Sequence, residues 1–177
     1  MKKQIRKGVF ETNSSSTHAI CIATEDVLNI PKKIYFGFDD FGWECRVRKT
    51  TQDKANYLYT AIGFVSKDVE ELKNYITFIF NTLIKNGVED INMESYDLFV
   101  STWKNKLTIG ITVDWDKGYI DHGIEAEEFV KAVCSDENKL LNYLFSDKSY
   151  IETGNDNDDK DVKINVDYPH DEYYKWN

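Results

Sequence analysis

The amphipathic tract at residues 66–87 constrains the fold of this chain more than any other segment. Its apolar side chains recur every three or four residues, which places them on one face of an α-helix. Ser66 is expected to cap the start of this helix, and Gly87 is expected to close its end. The apolar face consists of Val69, Leu72, Tyr75, Ile76, Ile79, Phe80 and Leu83. We therefore assign this face to the hydrophobic core.

Most other segments show either helical or strand periodicity. Helical spacing predicts further helices at 51–65, 124–135 and 136–146. Alternation and β-branched or aromatic residues predict strands at 17–24, 32–39, 42–50, 105–116, 148–154 and 162–167. Because helices and strands are mixed without strict alternation, we expect an α+β protein. Its mixed or antiparallel sheet would pack against one long and several shorter helices.

The size and composition of the chain fit a single domain. It has 177 residues, of which 41% are hydrophobic, so it can build one core for a domain that spans 1–177. Residues 1–7 are rich in basic side chains and are expected to form a tail. Residues 168–177 form a second tail, which is either free or held in place by its aromatic side chains.

Charge and the absence of export signals limit the partners and the compartment. The net charge is −9, so direct binding to duplex nucleic acid, which is itself densely negative, is not expected. The chain has no secretory signal and no apolar run of about twenty residues. We therefore expect no membrane span and a cytoplasmic protein of a bacterium or an infected host cell. Its three cysteines are far apart, which argues against a zinc ribbon or a disulfide framework.

The stretch "FETNSSSTHAICI" at residues 10–22 changes from polar to apolar near its middle. Its second half belongs to a predicted strand, so the polar half precedes a core strand directly. His18 lies at this boundary and is a candidate general base, because imidazole titrates near neutral pH. The alternative is a half-buried histidine that only holds a turn. The candidate ligand-binding residues here are Glu11, Thr12, Asn13, Ser14, Ser15, Ser16 and Thr17.

Two further segments contribute candidate site residues. In "YIDHGIE", His122 is a second candidate catalytic residue and Asp121 is a candidate ligand-binding residue. In "ETGND", Thr153, Asn155 and Asp156 surround a glycine that lets the backbone approach a ligand. The acidic spacing of "NDNDDKD" does not fit a calcium loop, and no zinc motif is present. We therefore predict no metal and no cofactor.

Several of these motifs resemble a known group of sequences. The segments "GVFETNSSSTHAICI", "FGFDDFGWE", "KANYLYTAI", "YIDHG" and "YIETGNDND" are similar to a family of uncharacterised small proteins from phages and Gram-positive bacteria. An N-terminal FETNSSS-x-H signature recurs in that family, and the resemblance covers most of the chain. It implies an intracellular accessory protein carried by a mobile element, with a role in countering host defence. It implies no particular reaction.

Three functions remain open at the level of the sequence. In the first, the polar segments 11–18, 39–44, 121–123 and 152–157 gather into one pocket that binds a small anionic ligand such as a nucleotide. In the second, the same pocket is the active site of a His-dependent hydrolase or transferase that acts on a nucleotide or phosphate ester. In the third, the acidic surface binds and inhibits a host nucleic-acid enzyme. Binding is favoured over catalysis, because the sequence shows a base without a visible nucleophile.

Overall fold

Helices and strands follow the sequence patterns in order along most of the chain. This computed structural model describes residues 16–25, 27–42, 46–103, 106–113, 116–155 and 172–176. The helices of this part are α1 (Thr51–Val65), α2 (Val69–Lys85), α3 (Glu127–Val133) and α4 (Glu137–Phe145). Its strands are β1 (Ser16–Ile22), β2 (Lys33–Phe36), β3 (Asp40–Phe41), β4 (Arg46–Arg48), β5 (Asp90–Met93), β6 (Asp97–Trp103), β7 (Lys106–Thr112), β8 (Tyr119–Ile120), β9 (Tyr150–Asn155) and β10 (Glu172–Trp176). The predicted α+β class is confirmed.

Helix α2 begins three residues later than the sequence suggests. Asp68 is its N-terminal cap, because the Asp68 carboxylate accepts a hydrogen bond from the N–H of Glu71. The Ser66 cap expected from the sequence is wrong, since Ser66 ends α1 and donates its N–H to the carbonyl of Ile62. The expected burial of Phe80 is also wrong, because 45% of this residue is exposed on α2. The apolar face of α2 is therefore narrower than the pattern indicated.

The main sheet has four antiparallel strands in the order β10-β1-β9-β4. Strands β6 and β7 form a separate antiparallel hairpin. Two short parallel pairs, β2 with β5 and β3 with β8, complete the described strand pairings. The β3–β8 pair places the segment that follows β8 close to the start of β1.

Strand β1 is buried along its whole length and lies in the interior of the main sheet. Ile20 and Ile22 belong to the hydrophobic core that the helices cover. Ala19 and Cys21, which alternate with them, are also fully buried. A strand with both faces buried is expected where its residues are small or apolar. The polar residues at the start of β1 are therefore drawn into the interior with it.

The C-terminal segment is part of this sheet. The sequence left two alternatives, a free tail or a tail held by aromatic residues. Residues 172–176 form β10, which pairs with β1 along its length. The strand predicted at 162–167 lies outside the described residues. No helix in the described part of the chain has the length and apolar character needed to cross a bilayer.

Candidate functional site

A hydrogen-bonded network centred on His18 lies between β1 and α1. Ser16 and His18 are two residues apart on a strand, so their side chains project to the same face. The hydroxyl Oγ of Ser16 lies 2.9 Å from Nε2 of His18. On the other side of the ring, the hydroxyl of Tyr57 lies 3.0 Å from Nδ1. Both ring nitrogens of His18 therefore have a hydroxyl partner.

Burial controls the charge of this histidine. Ser16, His18 and Tyr57 are all fully buried. The pKa of His18 is lowered from 6.5 to about 4, mainly because burial removes the solvation of the charged ring. Nearby Asp121 opposes this shift and His122 adds to it. His18 is therefore neutral at pH 7, with one ring nitrogen as a donor and the other as an acceptor.

The two tautomers of His18 have different chemical consequences. With the proton on Nδ1, the ring donates to the oxygen of Tyr57, and Nε2 accepts a hydrogen bond from the Ser16 hydroxyl. This is the arrangement in which imidazole can remove the proton of a nucleophilic serine. With the proton on Nε2, the ring donates to Ser16 and the hydroxyl of Tyr57 donates to Nδ1. Both arrangements satisfy every polar atom of the ring.

Asp121 holds the backbone at the start of β1. It follows β8, which reaches this end of the molecule by pairing with β3. Its Oδ2 atom accepts a hydrogen bond of 3.2 Å from the backbone N–H of Ser16. Its Oδ1 atom accepts one of 2.6 Å from the hydroxyl of Tyr119. The carboxylate thus fixes the position of Ser16 from a segment more than 100 residues away.

His122 lies beside this network. Its backbone is in the left-handed region, with φ of 54°, which is uncommon for a residue other than glycine and costs conformational energy. Its Nδ1 atom lies 3.7 Å from the carboxylate of Glu125, and about 40% of its side chain is exposed. His122 is close enough to influence the pKa of His18. The two candidate catalytic histidines are therefore neighbours in space.

A row of paired residues crosses the main sheet through His18. Trp176 of β10 and Thr153 of β9 pair with His18 on either side, and Arg46 of β4 pairs with Thr153. Directly paired residues project to the same face of a sheet. The indole ring of Trp176 stacks on the imidazole of His18, with ring centres 5.6 Å apart and an interplanar angle of 8°. Thr153 is buried, whereas Arg46 is exposed at the edge strand.

The fold brings together the described members of the predicted site. Ser16, His18 and Thr153 share one face of the sheet, and Asp121 contacts the backbone of Ser16. The backbone of Asn155 pairs with that of Ser16, whereas the side chain of Thr17, which is also buried, projects to the opposite face of the sheet. The remaining predicted residues lie outside the described part of the chain. They are Glu11, Thr12, Asn13, Ser14, Ser15 and Asp156.

Three residues of the network were not predicted as site residues. Tyr57 was assigned to a helix face, and nothing in its local spacing distinguishes it from the other buried aromatic residues of α1. Tyr119 was included only in a turn, and Trp176 only in a tail. These side chains reach the network through contacts between distant segments, so the sequence pattern of each segment carries no signal for them.

Two clefts of the described surface lie away from the His18 network. Among the described residues, no group of three His, Cys, Asp or Glu side chains could hold a metal ion. An open cleft of about 480 Å³, beside Tyr35 and Gln52, lies between the β2–β5 pair and the start of α1. A smaller cleft of about 160 Å³ lies beside Lys139 and Glu172. Neither of these two clefts is lined by a member of the His18 network.

The architecture is that of an α+β protein with a buried serine, histidine and tyrosine network beside an aspartate. No family model, curated protein or solved structure matches the chain. The resemblance to the phage and Gram-positive family stays a prediction, because these comparisons do not bear on it.

Proposed function

We propose that the protein is a hydrolase or transferase in which Ser16 is the nucleophile and His18 is its general base. The observation that carries this proposal is the distance of 2.9 Å between Oγ of Ser16 and Nε2 of His18. A serine becomes nucleophilic when a base lies within hydrogen-bond reach and a third group orients that base. Tyr57 is the orienting group, since its oxygen can accept a hydrogen bond from Nδ1–H in the required tautomer.

The neighbouring groups have defined parts in this mechanism. Asp121 positions the nucleophile through the N–H of Ser16, whereas the hydroxyls of Ser16 and Tyr57 are the partners of the two ring nitrogens of His18. The imidazolium that forms during the reaction is therefore stabilised mainly by the charge of Asp121 at a distance. Because the pKa of His18 is about 4, the free enzyme should lose activity only when the pH falls toward 4.

Burial of the proposed nucleophile limits the access of a substrate. Ser16 has no exposed surface in this structure, so the reaction requires a displacement that admits the substrate. Access can be measured directly with an alkyl fluorophosphonate, which modifies serines that are both activated and reachable. In this reaction the Ser16 oxygen forms a bond to phosphorus, the phosphorus–fluorine bond breaks, and the serine proton leaves through His18 with fluoride.

The experiment is labelling of the full chain followed by peptide mass spectrometry. We expect a single modification at Ser16, no modification of Ser16→Ala protein, and strongly reduced labelling of His18→Gln protein. Tyr57→Phe should slow labelling, because the ring then loses the group that orients it. Thr60→Ala, which removes another buried hydroxyl of α1, is the matched control and should label normally. Absence of any modification at Ser16 over a range of concentrations and temperatures would contradict the proposal.

A second candidate is binding of a small anionic ligand, such as a nucleotide, without a reaction. The arrangement of Arg46 and Thr153 in the same cross-sheet row as His18 favours it, because a guanidinium and a hydroxyl are suited to phosphate oxygens. A thermal-shift screen with nucleotides tests this candidate, since a ligand of the native state stabilises it by mass action. Stabilisation that disappears in Arg46→Gln protein, without labelling of Ser16, would favour binding over catalysis.

The biological setting stays a prediction from the sequence. The resemblance supports a phage-type accessory role in counter-defence, and the net charge of −9 supports the alternative of an acidic inhibitor of a host nucleic-acid enzyme. Neither the accessory role in counter-defence nor the inhibition of a host enzyme depends on the His18 network. A protein that still acts on host defence when both Ser16 and His18 are replaced would favour the inhibitor.

A further inference from the structure

A single unsatisfied donor lies against the proposed catalytic histidine. Trp176 is 8% exposed, yet its indole Nε1 atom has no hydrogen-bond partner. In the described part of the chain, the only other buried side-chain atom without a partner is Nε of Arg48. Buried polar groups are almost always paired, because an unpaired one loses its hydration without compensation. The indole N–H of Trp176 is an exception to this rule, and its ring stacks on His18. We therefore looked for a role of this donor in the site.

The chemistry of the indole restricts what can pair with it. Its N–H group is a donor that cannot accept a hydrogen bond, so its partner must be an acceptor atom. It carries no charge, and the indole is fixed by its stack on His18 and by pairing within the sheet. A neutral donor whose ring stacks on the general base is suited to an oxygen on which negative charge develops during the reaction.

The surrounding charge restricts the substrate further. Asp121 lies close enough to act on the charge of His18, and its carboxylate already accepts the N–H of Ser16. A phosphate group with two negative charges would be repelled by this half-buried carboxylate. An uncharged acyl group would not be repelled, and its carbonyl oxygen needs only a hydrogen-bond donor.

We propose that Trp176 is the oxyanion donor of the Ser16–His18 site and that the substrate is a carboxylic ester or thioester. This inference rests on the proposed function. Ser16 Oγ forms a bond to the acyl carbon while its proton passes to Nε2 of His18. The bond from the acyl carbon to the alkoxide or thiolate breaks, and that group leaves with the proton. Water, or an acceptor alcohol or amine, then takes the acyl group and regenerates Ser16.

The test compares Trp176→Phe with the wild-type protein. Phenylalanine keeps an aromatic ring against His18 and removes the N–H donor together with part of the ring volume. With p-nitrophenyl butyrate, we expect release of p-nitrophenol with transient acylation of Ser16, and a rate constant for acylation about a hundredfold lower in Trp176→Phe. Tyr174→Phe is the matched control on the same strand. It removes a hydroxyl that bonds to Glu172 and should leave the rate unchanged.

The outcomes separate this inference from the function on which it rests. Equal acylation rates in the wild-type and Trp176→Phe proteins would overturn the role of Trp176, while fluorophosphonate labelling of Ser16 would still support the enzyme. Faster turnover of p-nitrophenyl phosphate than of the butyrate would overturn the acyl substrate and leave a phosphate-ester hydrolase. Retention of the native fold in Trp176→Phe is checked by the far-ultraviolet circular dichroism spectrum and the urea midpoint.

Discussion

Replacement of His18 by glutamine should change how stability depends on pH, because His18 is buried in its neutral form. In the unfolded chain the imidazole has its ordinary pKa of 6.5, whereas in the native protein burial lowers the pKa to about 4. Between these two values the unfolded state binds more protons than the native state. Stability must therefore fall as the pH decreases through this window.

The magnitude follows from the size of the shift. Each unit of difference in pKa corresponds to about 1.4 kcal/mol, and at pH 5 the unfolded histidine is almost fully protonated while the native one is not. The native protein should therefore lose about 2 kcal/mol between pH 7 and pH 5 through His18 alone. The full loss, reached below pH 4, is about 3 kcal/mol. Carboxyl groups also contribute to the loss of unfolding free energy at low pH. The contribution of His18 is therefore measured as a difference between the wild-type protein and a variant without this histidine.

The assay is urea denaturation of the wild-type and His18→Gln proteins at pH 7 and at pH 5. Glutamine does not titrate, so the difference in unfolding free energy between the two proteins should change by about 2 kcal/mol in favour of the variant at pH 5. His122→Gln is the control for loss of a nearby, partly exposed histidine. A difference that stays constant between the two pH values would refute the argument that His18 is a neutral, buried ring. Titration of the His18 Cε1–H resonance by NMR gives an independent measurement of the same pKa.

Two further predictions concern the stability of the fold. Lys54 is buried on α1 and donates to backbone carbonyls of the segment after α4, and burial lowers its pKa from 10.5 to about 8. The unfolded state therefore binds more protons between these values, and urea denaturation should show wild-type stability rising by about 2 kcal/mol relative to Lys54→Met from pH 8 to pH 10. Gly118→Ala would place a Cβ atom 2.8 Å from the backbone N of Asp39, so its urea midpoint should indicate a loss of about 1–3 kcal/mol. Gly42→Ala, where the added atom meets nothing within 4 Å, is its control, and equal stability of the two variants would contradict the clash.

Local patterns in the sequence predicted most of the described elements and part of the site. The helix at 51–65 was predicted with the bounds that the structure shows, because its apolar residues recur at helical spacing. Strands β3, β5, β6 and β10 were not predicted. Ser16 and His18 were both chosen as candidates, but their contact depends on a strand that places alternate side chains on the same face.

The sequence by itself determined that the polar motif precedes a buried strand, because an apolar run with strand periodicity has to lie in a core. It also determined where helices occur, since their periodicity is a local property of neighbouring residues, although the cap of α2 is Asp68 and not Ser66. Only the tertiary structure decided which side chains surround His18. Tyr57 lies 39 residues away, Asp121 lies 105 residues from Ser16, and Trp176 is at the far end of the chain. Strand register and helix packing create these contacts, and neither is encoded in the pattern of a single segment.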